Sequence, residues 1–298
     1  MARGKTGKHW HELIANLNVW KRGKERAVHK PLLTLMLMSR AQRGESGEVH
    51  FHEIVGDLEK HIRDFGPMRK SYHPEFPFWH LQGDGFWEIE GAGSLPKRKG
   101  GGSPTRKTLL EHDAVGRVPD SLWGRLVGNA EGIKTLSQTV LDEFWPDTLH
   151  ADIAGALGLD LSKVATRQKR DPRFRDNVMR AYEKRCAVCG YDARLGDKLV
   201  CVEAAHIKWK VDGGPDVVVN GMALCSLHHK LFDLGAIGLD DDLRVKVSQD
   251  LTGQDVVRDT VLRYKGNRMR FPQAEAQYPK MDFVHWHGRN VFRGPARM

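Results

Sequence analysis

Apolar residues recur at helical spacing at Trp10, Leu13, Ile14 and Leu17, and a second apolar run, Leu32 to Met38, begins just after Pro31. This pattern predicts two helices, the second with proline in its first turn, where a missing amide hydrogen breaks no intrahelical bond. Between them lies a cationic connector, Lys21-Arg22-Gly23-Lys24-Glu25-Arg26. Residues Phe51 to Phe65 predict a third helix ended by Gly66-Pro67. The prolines and crowded aromatics of Ser71-Tyr72-His73-Pro74-Glu75-Phe76-Pro77-Phe78-Trp79 predict a shaped loop instead of a helix, leading into short strands around Leu81 to Ile89. Pro96 to Pro104, rich in Gly, Lys and Arg, predicts a mobile surface loop with a basic tip. Helical patterns resume over Thr108 to His112 and Leu122 to Phe144 and close with Asp147 to Leu157. Farther on, Val200 to Ile207 alternates as a strand, Gly213-Gly214-Pro215-Asp216 and Asn220-Gly221 form turns, and a helix bearing His229 and Asp233 follows.

A chain of 298 residues suits two domains, and helices mixed with short strands predict an α+β class. Composition shifts at Asp160 to Arg175, where Lys163, Arg167, Lys169, Arg170, Arg173 and Arg175 accumulate with almost no large apolar residue. The expected division is a domain over 1–159, a basic linker over 160–175 and a second domain over 176–298. A net charge of +9 favours a polyanionic partner through counterion release, with nucleic acid the first candidate. There is no apolar run long enough to span a membrane, and the basic start lacks an apolar signal core, so a soluble cytoplasmic protein is expected.

The four cysteines change the picture most. Cys186 and Cys189, then Cys225 and His228, form two pairs with the two-residue gap that lets a knuckle and a helix start each present two metal ligands. That set suits a closed, structural zinc, the alternatives being small buried residues or a redox pair; Cys201 falls outside it and is expected to be a strand residue. His229 remains available for other chemistry.

Ala205-His206-Ile207, Asn220-Gly221 and Leu227-His228-His229-Lys230-Leu231-Phe232-Asp233 lie in strand, loop and helix in that order. This stretch resembles the HNH, or ββα-metal, endonuclease family. Phosphodiester hydrolysis needs an activated water and a cation to neutralise phosphoryl charge. The resemblance implies His206 as general base, Asn220 as the residue that orients it or braces the loop, and His229 as ligand of a catalytic divalent ion, Mg2+ or Mn2+. Asp233, one helical turn later, is a second candidate ligand. Many HNH enzymes carry an acidic residue or histidine just before the base; here that place is Ala205, with Glu203 the substitute on the same strand face. Lys208, Lys210 and Lys230 are candidate phosphate contacts.

Together with His29-Lys30-Pro31-Leu32-Leu33, the proline-aromatic segment from Ser71 to Trp79 and Val291 to Arg297, nearly the whole chain resembles the McrA-like restriction endonucleases that bind phosphorothioated DNA. The resemblance implies a mainly helical N-terminal sulfur-binding domain with a small β element, ahead of a zinc-braced HNH domain. It places the sulfur cavity at Phe76, Pro77 and His80, with His29 and Lys30 alongside. Tyrosine is common in the family where Phe76 stands, and a small residue where His80 stands. Arg22, Arg26 and Arg106 are candidate contacts to neighbouring phosphates or bases. The expected partner is double-stranded DNA, and because one HNH site cuts one strand, a homodimer is one route to duplex cleavage. Two other readings stand beside this one: an HNH endonuclease that recognises methylated DNA or no mark, and a noncatalytic DNA-binding regulator.

Overall fold

Leu32, Leu35 and Met38 are wholly buried on a helix that begins at His29 and carries Pro31 as its third residue. A computed structural model describes residues 10–22, 25–161 and 172–298 of the protein. The chain divides into two units, Met1–Phe144 with His150–Thr166, and Trp145–Leu149 with Arg167–Met298. Of the expected linker, residues 162–171 lie outside the described residues, and the chain is helical again from Pro172.

From the N-terminus the elements are α1 (Trp10–Ala15), the hairpin β1 (Lys21–Arg22) and β2 (Glu25–Arg26), α2 (His29–Gln42), β3 (Glu48–His50) and α3 (Phe51–Phe65). Then follow α4 (Glu75–His80), β4 (Glu88–Ile89), α5 (Arg106–Glu111), β5 (Val115–Arg117), α6 (Asp120–Trp123), α7 (Ala130–Phe144) and α8 (Asp147–Leu157). Helices α3, α4 and α7 pack around α2, whose apolar residues face them on several sides, as befits a central helix. A small antiparallel sheet of order β3-β5-β4 lies in the same unit. Its central strand needs Gly116, because a Cβ there would stand 1.9 Å from the Trp87 ring.

The second unit comprises α9 (Pro172–Ala181), the hairpin β6 (Arg194–Leu195) and β7 (Lys198–Leu199), the pair β8 (Val202–His206) and β9 (Gly221–Cys225), and α10 (Ser226–Asp233). After these come β10 (Ile237–Leu239), β11 (Val245–Val247), α11 (Asp255–Thr260) and α12 (Met281–Asn290). Strands β8 and β9 run antiparallel from Val202↔Cys225 to His206↔Gly221, and α10 starts directly from the end of β9. Phe174 and Val178 of α9 cover Gly221 so closely that a Cβ would stand 2.5 Å from Val178.

Helix α3 has the predicted bounds, and mixed helices with small antiparallel sheets make the α+β class. Four local expectations are corrected. The segment expected as a loop contains α4: Pro74 is its N-cap and Pro77 its third residue, positions where no intrahelical amide bond is required. The stretch from Leu122 to Phe144 is two helices broken at Gly124 to Asn129, with Gly128 in the left-handed region at φ 81°. Cys201 precedes β8 instead of joining it, with φ 56°, and its carbonyl accepts from the Ser226 amide. The loop after Pro96 is tied down, since Arg98 Nη2 donates to Glu75 Oε1 at 2.6 Å and Trp79 Nε1 donates to Gly102 O at 3.0 Å. Among the described residues no helix is long and apolar enough to cross a membrane.

Candidate functional site

In the second unit, the turn after α9 presents Cys186 and Cys189, while the β9–α10 junction presents Cys225 as helix N-cap and His228 in the first turn. Their ligand atoms all lie within 4.8 Å of one another. Cys189 Sγ is 3.9 Å from Cys225 Sγ, Cys186 Sγ is 3.7 Å from His228 Nδ1, and Cys225 Sγ is 3.1 Å from that nitrogen. A tetrahedral ion with metal–sulfur bonds of about 2.3 Å sets its sulfur ligands about 3.8 Å apart, so the donor set fits one metal ion. His228 Nε2 lies 3.0 Å from Thr260 O, the second bond that fixes a metal-ligating imidazole. Cys201 is exposed and takes no part in the group.

His206 ends β8 with its ring flat against Phe174, centroids 4.1 Å apart at 12°. Its Nε2 lies 2.8 Å from Asp216 Oδ1, and Lys210 donates to the other oxygen of the same carboxylate. Burial pushes the Asp216 carboxyl up, but the Lys210 ammonium and the His206 imidazole outweigh it and leave the group below the usual carboxylate range. Asn220 is wholly buried and bonds backbone only: Lys208 N donates to Oδ1 at 2.9 Å, and Nδ2 donates to Lys208 O and Pro215 O at 3.0 Å. Its side chain thus ties the Lys208 backbone to Pro215 across the loop.

On α10, His229 stands between two carboxylates, with Nδ1 2.7 Å from Glu203 Oε2 and Nε2 3.3 Å from Asp233 Oδ2. The two acids differ in setting. Glu203 is 40% exposed, whereas Asp233 is 3% exposed, accepts from Trp209 Nε1 at 3.2 Å and from Thr148, and has its carboxyl pushed up by burial. Lys208 is buried, Lys210 is committed to Asp216 and Lys230 donates to Thr148 O, so none of the three stands as a simple solvated cation.

The first unit holds a cavity of about 1030 Å³ lined by His29, Lys30, Phe76, Pro77 and His80 from the predicted set. Trp20, Arg69 and His73 also line it. Arg26 and Arg106 do not: Arg26 pairs with Glu143 at 2.6 Å and lies over the Phe144 ring, and Arg106 pairs with Glu59 at 2.8 Å. Arg22 lies in β1, and its side chain falls outside the described residues. Burial, with the Arg69 guanidinium and His73 nearby, holds the His29 imidazole down at about 4, so it is neutral at physiological pH. Burial and the Lys30 charge likewise lower His80. The Lys30 ammonium is 2.6 Å from an Asp84 carboxylate that is itself fully buried, which offsets its charge. Phe76 is stacked against His73 at 5.0 Å and lies under the Arg98 guanidinium at 4.7 Å, and both of these neighbours bind Glu75 Oε1.

A strand pair running into a helix, with His206, Asn220 and His229 in order beside a Cys3His group, defines a ββα-metal nuclease, and residues 186–240 match the HNH endonuclease family. The second unit therefore carries an HNH endonuclease domain. Residues 7–162, over half of the chain, match the ScoMcrA-like DNA sulfur-binding domain, and the protein belongs to that family. Among solved structures, the sulfur-binding domain of ScoMcrA complexed with phosphorothioated DNA is 19% identical, with a TM-score of 0.45 over 51% of this chain and 97% of that one. The corresponding SprMcrA domain, also with phosphorothioated DNA, is 19% identical, with a TM-score of 0.43 over 50% of this chain and 92% of that one. The modification-dependent TagI restriction endonuclease is 24% identical, with a TM-score of 0.30 over 45% of this chain and 41% of that one. The chain thus spans less than half of TagI. None of the curated proteins matches it.

Proposed function

We propose that the protein is a modification-dependent restriction endonuclease that captures phosphorothioate DNA in the cavity of its first unit and hydrolyses a phosphodiester nearby at its HNH centre. The observation that carries the sulfur half is the character of the cavity, in which Pro77 and Phe76 stand beside a neutral His29 and a Lys30 already paired with Asp84. Sulfur in place of a non-bridging oxygen is larger, more polarizable and less strongly hydrated. A wall of proline and aromatic carbon accepts it at small desolvation cost, whereas an unpaired polar oxygen there loses a few kcal/mol of hydration. Trp20, Arg69 and His73 extend the contact surface beyond the sulfur itself.

At the nuclease centre His206 takes the proton from the attacking water, while Asp216 and the Phe174 ring fix the imidazole, and the carboxylate stabilises the imidazolium that forms. Asn220 holds the loop that presents Asp216. The donor chemistry of Glu203 and His229 suits a hard divalent ion, Mg2+ or Mn2+, which when bound neutralises charge on the phosphoryl group. Glu203 is thereby the exposed ligand that replaces the residue missing at Ala205, and the buried Asp233 anchors His229 from behind. The Cys3His group holds zinc and staples the turn after α9 to α10. One such centre cuts one strand, so duplex cleavage takes two copies or two encounters.

The test compares one duplex with and without a single phosphorothioate, measuring binding and cutting by the full chain. Tight binding and cutting of the modified duplex alone is the expected result. Equal affinity for both duplexes would remove the sulfur reading, and cutting by His206→Ala at the wild-type rate would remove the nuclease assignment.

A further inference from the structure

We propose that His50, His52 and Asp113 in the first unit form a binding site for one divalent first-row transition ion such as zinc, a site separate from the Cys3His group and the nuclease centre of the second unit. Three elements converge to make it. His50 ends β3, His52 is the second residue of α3, and Asp113 lies in the turn between α5 and β5. The pairing of β3 with β5 sets His50 opposite Val115, and the Phe51 amide donates to Ala114 O at 2.9 Å, which fixes the turn against the helix start.

Both imidazoles present the same ring nitrogen to one carboxylate. His52 Nδ1 is 2.8 Å and His50 Nδ1 is 3.1 Å from Asp113 Oδ1, and His50 Nδ1 is 3.2 Å from Oδ2. The two rings are 5.3 Å apart at 53°, and the donor atoms of all three residues lie within 4.8 Å of one another. Ligands about 2.1 Å from one ion are about 3.0 to 3.4 Å apart at octahedral to tetrahedral angles, so the His–Asp spacings of 2.8 to 3.2 Å bring the three donors close to the positions one ion needs, with water to complete its shell. Two imidazoles and one carboxylate are the borderline-hard donors that such ions accept.

The surrounding charge favours a cation. Glu48 and Glu53 add their carboxylate fields to that of Asp113 at His50. Asp113 keeps its carboxylate turned toward the two rings from a left-handed backbone at φ 43°, where the Asp113 amide donates to Leu110 O at 3.2 Å and the Ala114 amide to Leu109 O at 2.9 Å. The three side chains are between 34% and 59% exposed, so an ion reaches them without any rearrangement.

The test is a zinc count on the full chain after equilibration with micromolar Zn2+ and removal of unbound metal, for the wild type, for His50→Asn with His52→Asn together, and for Asp113→Asn. Asparagine tolerates the left-handed backbone at position 113, which keeps that variant folded. The wild type is expected to retain one zinc per chain more than either variant, and added Zn2+ to raise its thermal midpoint more than theirs, because an ion that binds only the folded state stabilises it. Equal zinc content in all three proteins, or an equal rise in midpoint, would overturn the proposal. Neither outcome depends on DNA binding or cleavage.

Discussion

His206 Nε2 stands 2.8 Å from Asp216 Oδ1, so the imidazole at the end of β8 is held by a carboxylate ten positions along the chain. Asp216→Asn preserves the shape of that contact and removes its charge. Single-turnover cleavage is expected to slow roughly 10- to 100-fold, the scale on which a carboxylate that orients a functional histidine contributes. DNA affinity should not change. A variant that cuts at the wild-type rate would show that the carboxylate serves only Lys210.

Asn220→Ala removes an amide that satisfies three buried backbone contacts, one from Lys208 N and two to the carbonyls of Lys208 and Pro215. Leaving those groups unpaired should cost about 2–4 kcal/mol, read as a lower denaturation midpoint of the second unit. Cleavage should fall with it, because the same loop carries Asp216. Unchanged stability would refute the bracing role.

Glu203→Gln keeps the size of the side chain and weakens its grip on a cation. The concentration of Mn2+ needed for half-maximal cleavage is expected to rise about 10-fold or more, with the rate at saturating Mn2+ less affected. If the Mn2+ dependence of cleavage is unaltered, Glu203 is not a ligand.

His287 is buried, lies 3.7 Å from the Phe232 ring and has Nε2 3.0 Å from Phe232 O. Burial, opposed by the Phe232 carbonyl and reinforced by Lys246, holds its imidazole down at about 3, against 6.5 for the free group. The unfolded chain therefore binds a proton in this range that the folded chain refuses. Its contribution to stability is complete above pH 6.5 and drains away as the pH falls from there toward about 3, by roughly 1.4 kcal/mol per pH unit. Urea unfolding near pH 7 and near pH 5 should show this loss in the wild type and a smaller one in His287→Gln. Identical losses would rule out the burial account.

The parts of the molecule that sequence exposes are those set by neighbours along the chain. Helix α3 is legible because its apolar positions repeat once per turn and Gly66-Pro67 ends it. The Cys186–Cys189 and Cys225–His228 gaps are legible because a turn and a helix start fix them locally. Helix α4 was hidden by prolines that sequence reasoning treats as breakers, although both stand where a helix needs no amide. The dyad of His206 with Asp216 was hidden because an aspartate after Gly-Gly-Pro signals only a turn. Glu203 is legible from strand alternation as the substitute for the residue missing at Ala205, but its approach to His229 depends on how a helix lies across a strand. The cavity brings Trp20 together with Arg69 and His73 of a distant segment, while Arg106, basic and close to a basic loop, pairs instead with Glu59.

The start of α4 bears on what the cavity refuses. Helix beginnings ordinarily welcome oxyanions because several backbone N–H groups point outward there. Here Pro77 has no such hydrogen, and that of Phe76 is spent on His73 O at 3.1 Å. The start of α4 therefore offers an arriving phosphate fewer backbone donors than most helix beginnings do, which under the proposed reading leaves recognition to the side chains that line the cavity.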